Sequence, residues 1–164
     1  MMNQTASGIS VTLRDIHESD LPILFAHHLD KEANHMAAFT PKDPTNREAF
    51  MEHWADLLAD DTIIMQAIVA DHQVAGYILS FEITGQREVG YWLGKDHWGK
   101  GIATQALIQF LEIITTRPLY AHAAQDNAGS LRVLQKGGFK IIGEGVGFSN
   151  ARQTDVAEYI LILE

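Results

Sequence analysis

The 164-residue chain contains no cysteine. It can therefore build no disulfide framework, no thiolate metal site and no cysteine nucleophile, which excludes group transfer through a covalent cysteine intermediate. No apolar run approaches the roughly 20 residues needed to cross a bilayer, so no membrane partner is expected. The opening stretch MMNQTASGISVTLRDIHESD has no continuous apolar segment, so no secretory leader is expected and the cytoplasm is the expected compartment. Positive charge is also scarce: 12 Lys and Arg against 21 Asp and Glu leave a formal charge of −9. Phosphate backbones are bound through basic faces, so no nucleic-acid partner is expected. An acidic surface favours solubility and attracts cationic amines or basic peptides.

What is present fits an ordinary globule, with 46% hydrophobic and 20% charged residues and no repeat or low-complexity tract. The length predicts a single domain over residues 1–164. ISVTLRDI alternates Ile9, Val11 and Leu13 with polar neighbours and reads as a strand. ESDLPILFAHHLD reads as a helix capped by Ser19, with Pro22 tolerated in its first turn. PKDPTNREAFMEHWADLLADD reads as a second helix, with Thr45 and Glu48 as a capping box and Phe50, Trp54, Leu57 and Leu58 as its apolar stripe.

From residue 62 the period becomes that of strands. TIIMQAIVA and QVAGYILSFEI flank a turn at Asp71–His72, and REVGYWLG follows a second turn at 84–86. A helix over about 101–116 presents Ile102, Ala106, Leu107, Phe110, Leu111 and Ile114 on one face. PLYAHAAQ reads as a strand, NAGSLRVLQKGGF as a helix stopped by Gly137–Gly138, and FKIIGEGVGF and DVAEYILIL as the last two strands. The order β-α-α-β-β-β-α-β-α-β-β requires one parallel crossover in an otherwise antiparallel sheet, so the fold is mixed α/β.

The glycine-rich stretch GYWLGKDHWGKGIATQAL carries the chemistry, and three phosphate loops compete for it. A triphosphate loop needs Ser or Thr directly after Lys100, where Gly101 stands. A dinucleotide fingerprint needs Gly or Ala where Thr104 stands, in a parallel sheet rather than after a meander. The remaining reading is a strand ending at Leu93–Gly94, a short loop, and a helix start whose free N–H groups cradle a pyrophosphate. Gly99, Gly101 and Ala103 let the phosphate approach the main chain, Lys100 adds charge and Thr104 offers a hydroxyl.

This stretch resembles the acetyl-CoA signature of the GNAT N-acetyltransferases, Q/R-x-x-G-x-G/A. The final Gly and Ala match at Gly101 and Ala103, while Trp98 takes the Gln/Arg place. With GYWL before it, that departure looks like the RimJ/RimL-type branch, which acetylates protein N-termini and other amines. DNAGSLRVLQKGGF is similar to the branch's N-x-x-S…K-x-G-F segment, so the resemblance covers nearly the whole chain. It implies the GNAT fold, with about seven mostly antiparallel strands flanked by about four helices. The implied reaction is acetyl transfer from acetyl-CoA to a primary amine, on a small molecule or a protein N-terminus, by direct attack in a ternary complex. The alternative is a non-catalytic acyl-CoA-binding domain on the same fold. A homodimer is a further family expectation.

Carried over residue by residue, the resemblance implies that Trp92, Leu93 and Gly94 line the pantetheine arm. Trp98, Gly99, Lys100, Gly101, Ile102, Ala103 and Thr104 then surround the pyrophosphate. Asn127 bonds the cofactor arm and Ser130 protonates the departing thiolate; the plainer reading is that Asn127 caps the helix it precedes. His122 is the candidate base, with Glu88, Glu82 and Glu144 as rivals and a water chain as another route. His27, His28 and His35 lack a metal-binding spacing, so no metal is expected. The segment HMAAFTPKDP is placed at the acceptor site. Saturating acetyl-CoA should raise the melting temperature by about 5 °C, whereas ATP and NAD should not; stabilisation by ATP alone would overturn the loop assignment.

Overall fold

The computed structural model describes residues 8–164, and expectations about positions 1–7 lie outside the described residues. The elements run β1 (Val11–Arg14), α1 (Leu21–His28), α2 (Lys31–Ala37), α3 (Arg47–Ala59), β2 (Ile64–Ala70), β3 (Gln73–Ile83) and β4 (Gln86–Leu93). They continue with α4 (Ile102–Ile113), β5 (Leu119–Ala124), α5 (Ala128–Lys136), β6 (Lys140–Ser149) and β7 (Thr154–Leu163). Short 3-10 turns at Glu18–Asp20 and Lys95–His97 precede α1 and α4.

Among the described residues seven strands form one sheet in the order β1-β2-β3-β4-β5-β7-β6, in which only the β4–β5 pair is parallel. Both hairpin turns hold left-handed backbone at two successive positions: Asp71 and His72 at φ 47° and 70°, Thr84 and Gly85 at 48° and 80°. That geometry matches the twist of the flanking strands and keeps β2, β3 and β4 in one meander.

Each face of the sheet buries its own core. On one side Ile102, Ala106, Leu107 and Phe110 of α4 pack with Leu134 of α5 against Ile68, Ile78, Val89, Leu119 and Leu161. On the other, Leu21, Leu24 and Trp54 gather Phe50, Met65, Val74 and Tyr77 beneath α1 and α3. Among the described residues no helix is long and apolar enough to cross a membrane.

The structure corrects several local readings. Among the described residues there are five α-helices, the one not read from sequence being Lys31–Ala37. That helix is capped by Asp30, whose side chain accepts from Glu32 N, and seven residues are too few for an apolar period to declare them. Asn46 rather than Thr45 caps α3, accepting from Ala49 N at 3.0 Å. The Thr45 hydroxyl is held by Asp43 at 2.6 Å instead. Leu58 leaves the apolar stripe and stands 41% exposed. Asp20 rather than Ser19 precedes α1.

Asp20 is also the principal polar group buried at the start of the chain. It receives both Arg14 guanidinium nitrogens at 2.7 and 2.9 Å and His17 N at 2.7 Å. These donors hold its carboxyl below the usual range, led by the bond from Arg14. A carboxyl lowered by folding stabilises the native state above the unfolded value near 4, and loses that contribution as pH falls through the lowered value. Asp20→Ala should cost about 3 kcal/mol at pH 7, because it strands a partly buried guanidinium. In urea unfolding, the gap to wild type should narrow at pH 3.

Candidate active site

The sheet opens at its one parallel junction. β4 and β5 share a single pair, Glu88 with Tyr120, and then diverge. On its other edge β4 stays paired to β3 through Leu93, opposite Gly76. Main-chain groups alternate sides along a strand. Gly94 N bonds Ala75 O at 2.8 Å on the β3 side, so Tyr91 and Leu93 direct theirs into the gap. The gap widens into a cleft of about 610 Å³ that runs from the start of α4 to the start of α5.

At one end the chain enters α4 without any side-chain cap. Gly99 and Gly101 take left-handed φ of 72° and 77°, and Gly101 is the N-cap residue. Only at Gln105 does the helical ladder begin, bonding Gly101 O at 3.1 Å, so the first-turn N–H groups face the cleft at the positive end of the helix dipole. Trp98, Gly99, Gly101, Ile102, Ala103 and Thr104 all line this end. Trp98 donates its indole N–H to Leu93 O at 2.9 Å, which occupies that carbonyl and ties the loop to the strand end.

The other end is polar. Asn127 caps α5, its Oδ1 accepting from Ser130 N at 3.2 Å while its Nδ2 donates to Met36 O at 3.2 Å. The plainer capping reading of Asn127 therefore holds in this geometry, and the residue also clips α2 to α5. Ser130 Oγ lies 2.9 Å from the Tyr91 hydroxyl, which also reaches Ser130 O at 3.3 Å. Burial pushes the Tyr91 phenol up to about 12, so it remains a proton donor at neutral pH. Tyr91 was not singled out from sequence; the alternation of β4 points it toward α5, but nothing local announces its partner 39 positions away.

His122 also reaches the cleft. Its Nε2 lies 3.4 Å from Glu88 Oε2 and its Nδ1 3.3 Å from Glu158 Oε2, so one ring bridges carboxylates from β4 and β7. A neutral imidazole has one N–H and can donate to only one of them. Of the rival bases, Glu88 belongs to this cluster, whereas Glu144 accepts from Gln125 Nε2 at 2.7 Å and Glu82 is exposed opposite Arg87.

Trp92 and Leu93 line the cleft, whereas Gly94 and Lys100 do not. Gly94 is buried with its N–H already used by Ala75 O, and Lys100 stands exposed beside the loop. On the α1 face the Trp92 ring stacks on His28 at 4.1 Å, and His28 Nε2 meets the Tyr77 hydroxyl at 3.1 Å. Burial pushes the His28 imidazole down to about 4.

An unfolded chain protonates this imidazole near 6.5, but the folded protein does so only near 4. His28 therefore holds its full stabilising contribution above about 6.5 and loses it as pH falls toward 4, by at most about 1.4 kcal/mol per pH unit. His28→Gln should flatten the dependence of urea-unfolding free energy on pH between about 6.5 and 4. An unchanged slope would exclude His28 as its source.

Residues 10–140 match the acetyltransferase (GNAT) domain family. A Bacillus licheniformis relative, uncharacterized N-acetyltransferase p20, is 23% identical over 140 residues, 79% of each chain. Among solved structures, RimL, a ribosomal L7/L12 alpha-N-protein acetyltransferase in complex with coenzyme A, aligns over 92% of this chain and 93% of its own, with TM-score 0.78 and 22% identity. Spermidine N-acetyltransferase from Vibrio cholerae, in complex with CoA and spermine, aligns over 93% of this chain and 95% of its own, with TM-score 0.76 and 20% identity. These structures establish a shared fold. Since the family match spans most of the chain and falls on the split sheet and the bare start of α4, the chain belongs to the GNAT acetyltransferases.

Proposed function

We propose that the protein transfers an acetyl group from acetyl-CoA to a primary amine by direct attack in a ternary complex, as an enzyme of the RimJ/RimL type. The observation that carries this reading is the divergence of β4 from β5 after one residue pair, with a bare helix start at one end and a hydroxyl pair at the other. The residues fit the group. Gly99 has open space where a side chain would stand, and no side chain caps α4, so a pyrophosphate can meet the N–H groups of Ile102 and Ala103. Trp98 and Thr104 flank that cradle, and exposed Lys100 supplies positive charge beside it.

When bound, acetyl-CoA supplies the thioester carbonyl that the amine attacks. The N–H groups of Tyr91 and Leu93 then pair with the pantetheine arm and hold the developing oxyanion. Ser130 gives its proton to the departing thiolate. Tyr91 donates to Ser130 Oγ, which turns the serine's own proton toward the cleft. Asn127 holds the turn that carries Ser130, so its contribution is positional. The amine's proton passes to the cluster of Glu88, His122 and Glu158, in which the neutral His122 ring keeps one nitrogen without a hydrogen to receive it. The non-catalytic alternative gains nothing from the geometry, since the hydroxyl pair and His122 line one cleft.

Ser130→Ala should lower kcat by about 10²-fold in a thiol-release assay while leaving acetyl-CoA affinity within about twofold. Tyr91→Phe should lower kcat about tenfold, and the double variant should be no slower than Ser130→Ala alone. Additive losses would show that Tyr91 does not act through Ser130.

A further inference from the structure

A second cavity, of about 680 Å³, lies on the α1–α3 side of the sheet. Phe50, Trp54, Tyr77, Leu79, Phe81 and Trp92 form its walls. Trp92 also lines the cleft, so a single indole separates the two spaces. Gly90, two residues before it on the same face of β4, lines the cleft without a side chain. A Cβ at Gly90 would stand 3.7 Å from Leu79 Cδ2 and 3.8 Å from Phe81 Cε1, so Gly90 lies directly beside these cavity walls.

Aromatic rings make up much of the walls. Phe25 meets Phe50 at 5.2 Å, Phe50 meets Trp54 at 5.5 Å, and Trp54 meets the Tyr77 face edge-on at 4.7 Å. His28 in the wall is neutral at physiological pH, because burial holds its imidazole down at about 4. No lysine or arginine lines the space, and its acidic side chains, Asp43, Asp60 and Glu82, are all exposed. Such a cavity repels phosphate and carboxylate, rewards an apolar ring, and admits a cation past its edge. Phe39, 41% exposed, contributes to the cavity wall and packs toward the bare face of Gly147. A Cβ on Gly147 would come within 3.1 Å of the Phe39 ring, so that glycine makes room for it.

We infer that the acceptor is a small primary amine carried on a flat, uncharged apolar body, such as an arylalkylamine, with the body in this aromatic cavity and the amine directed past Gly90 toward Glu88, His122 and Glu158. The inference rests on the acetyl-transfer reading above. In the step itself, the amine nitrogen forms a bond to the acetyl carbon and the carbon–sulfur bond breaks. The bond's electron pair leaves on sulfur, the amine's proton goes to the Glu88–His122–Glu158 cluster and from there to water, and the thiolate takes a proton from Ser130, which regains one from water.

The test compares phenethylamine, spermidine and an alanine-headed peptide in the thiol-release assay, with phenethylamine binding followed by tryptophan fluorescence. Phenethylamine should give a kcat/KM at least about tenfold above the other two, and should quench the fluorescence. Phe81→Ser should raise its KM at least about tenfold with a smaller change in kcat. If that variant loses its cooperative melt, Phe81→Leu replaces it, with a smaller rise in KM expected. Preference for spermidine or the peptide overturns the substrate class and leaves acetyl transfer standing. Absence of both phenethylamine quenching and turnover, with acetyl-CoA still stabilising the protein, does the same. Failure of acetyl-CoA to stabilise the protein overturns the acetyl-transfer reading itself.

Discussion

A parallel strand pair that stays hydrogen-bonded leaves no room for a ligand, and this structure turns on one that does not stay paired. β4 and β5 meet at Glu88 and Tyr120 and then separate. Because β4 remains bonded to β3, the gap is held open by a rigid strand rather than by a loop. Its exposed main-chain groups belong to Tyr91 and Leu93, and one of them, Leu93 O, is already satisfied by the Trp98 indole. An unpaired N–H or C=O that faces solvent can exchange water for a ligand at little net expense. The split therefore provides a main-chain binding edge along β4.

The same split brings distant chemistry together. Because β4 ends in the loop that starts α4, and β5 ends in the turn that starts α5, both helix starts face one gap. One start is bare glycine, suited to an anion. The other is capped by Asn127 and presents Ser130 to Tyr91. Side chains on the opposite face of β4 serve a different purpose, since Glu88, Gly90 and Trp92 face the α1–α3 side. One strand thus presents Val89, Tyr91 and Leu93 to the α4–α5 side and Glu88, Gly90 and Trp92 to the α1–α3 side in alternation.

The uncapped start of α4 was legible in the sequence because it is local: glycines at 99 and 101, then an apolar period of 3.6 residues, identify a bare helix start. The hairpins were legible for the same reason. Helix α2 was not, because seven residues capped by Asp30 carry too little pattern. The cap of α3 was misplaced by one residue, since Thr45 had a nearer partner in Asp43. His122 was found as a candidate, but its two carboxylate neighbours come from strands 34 positions before it and 36 after it in number, a relation no spacing rule expresses.

By itself the sequence determined the strands, the helices other than α2 and the single crossover, because each depends on neighbours in the chain. Tertiary structure alone decided which hydroxyl faces Ser130, which carboxylates flank His122, and that an aromatic cavity adjoins the cleft across Trp92. Those relations depend on sheet order and on the point at which β4 and β5 part. Sheet order is set by burying two apolar faces at once, which is a property of the whole chain.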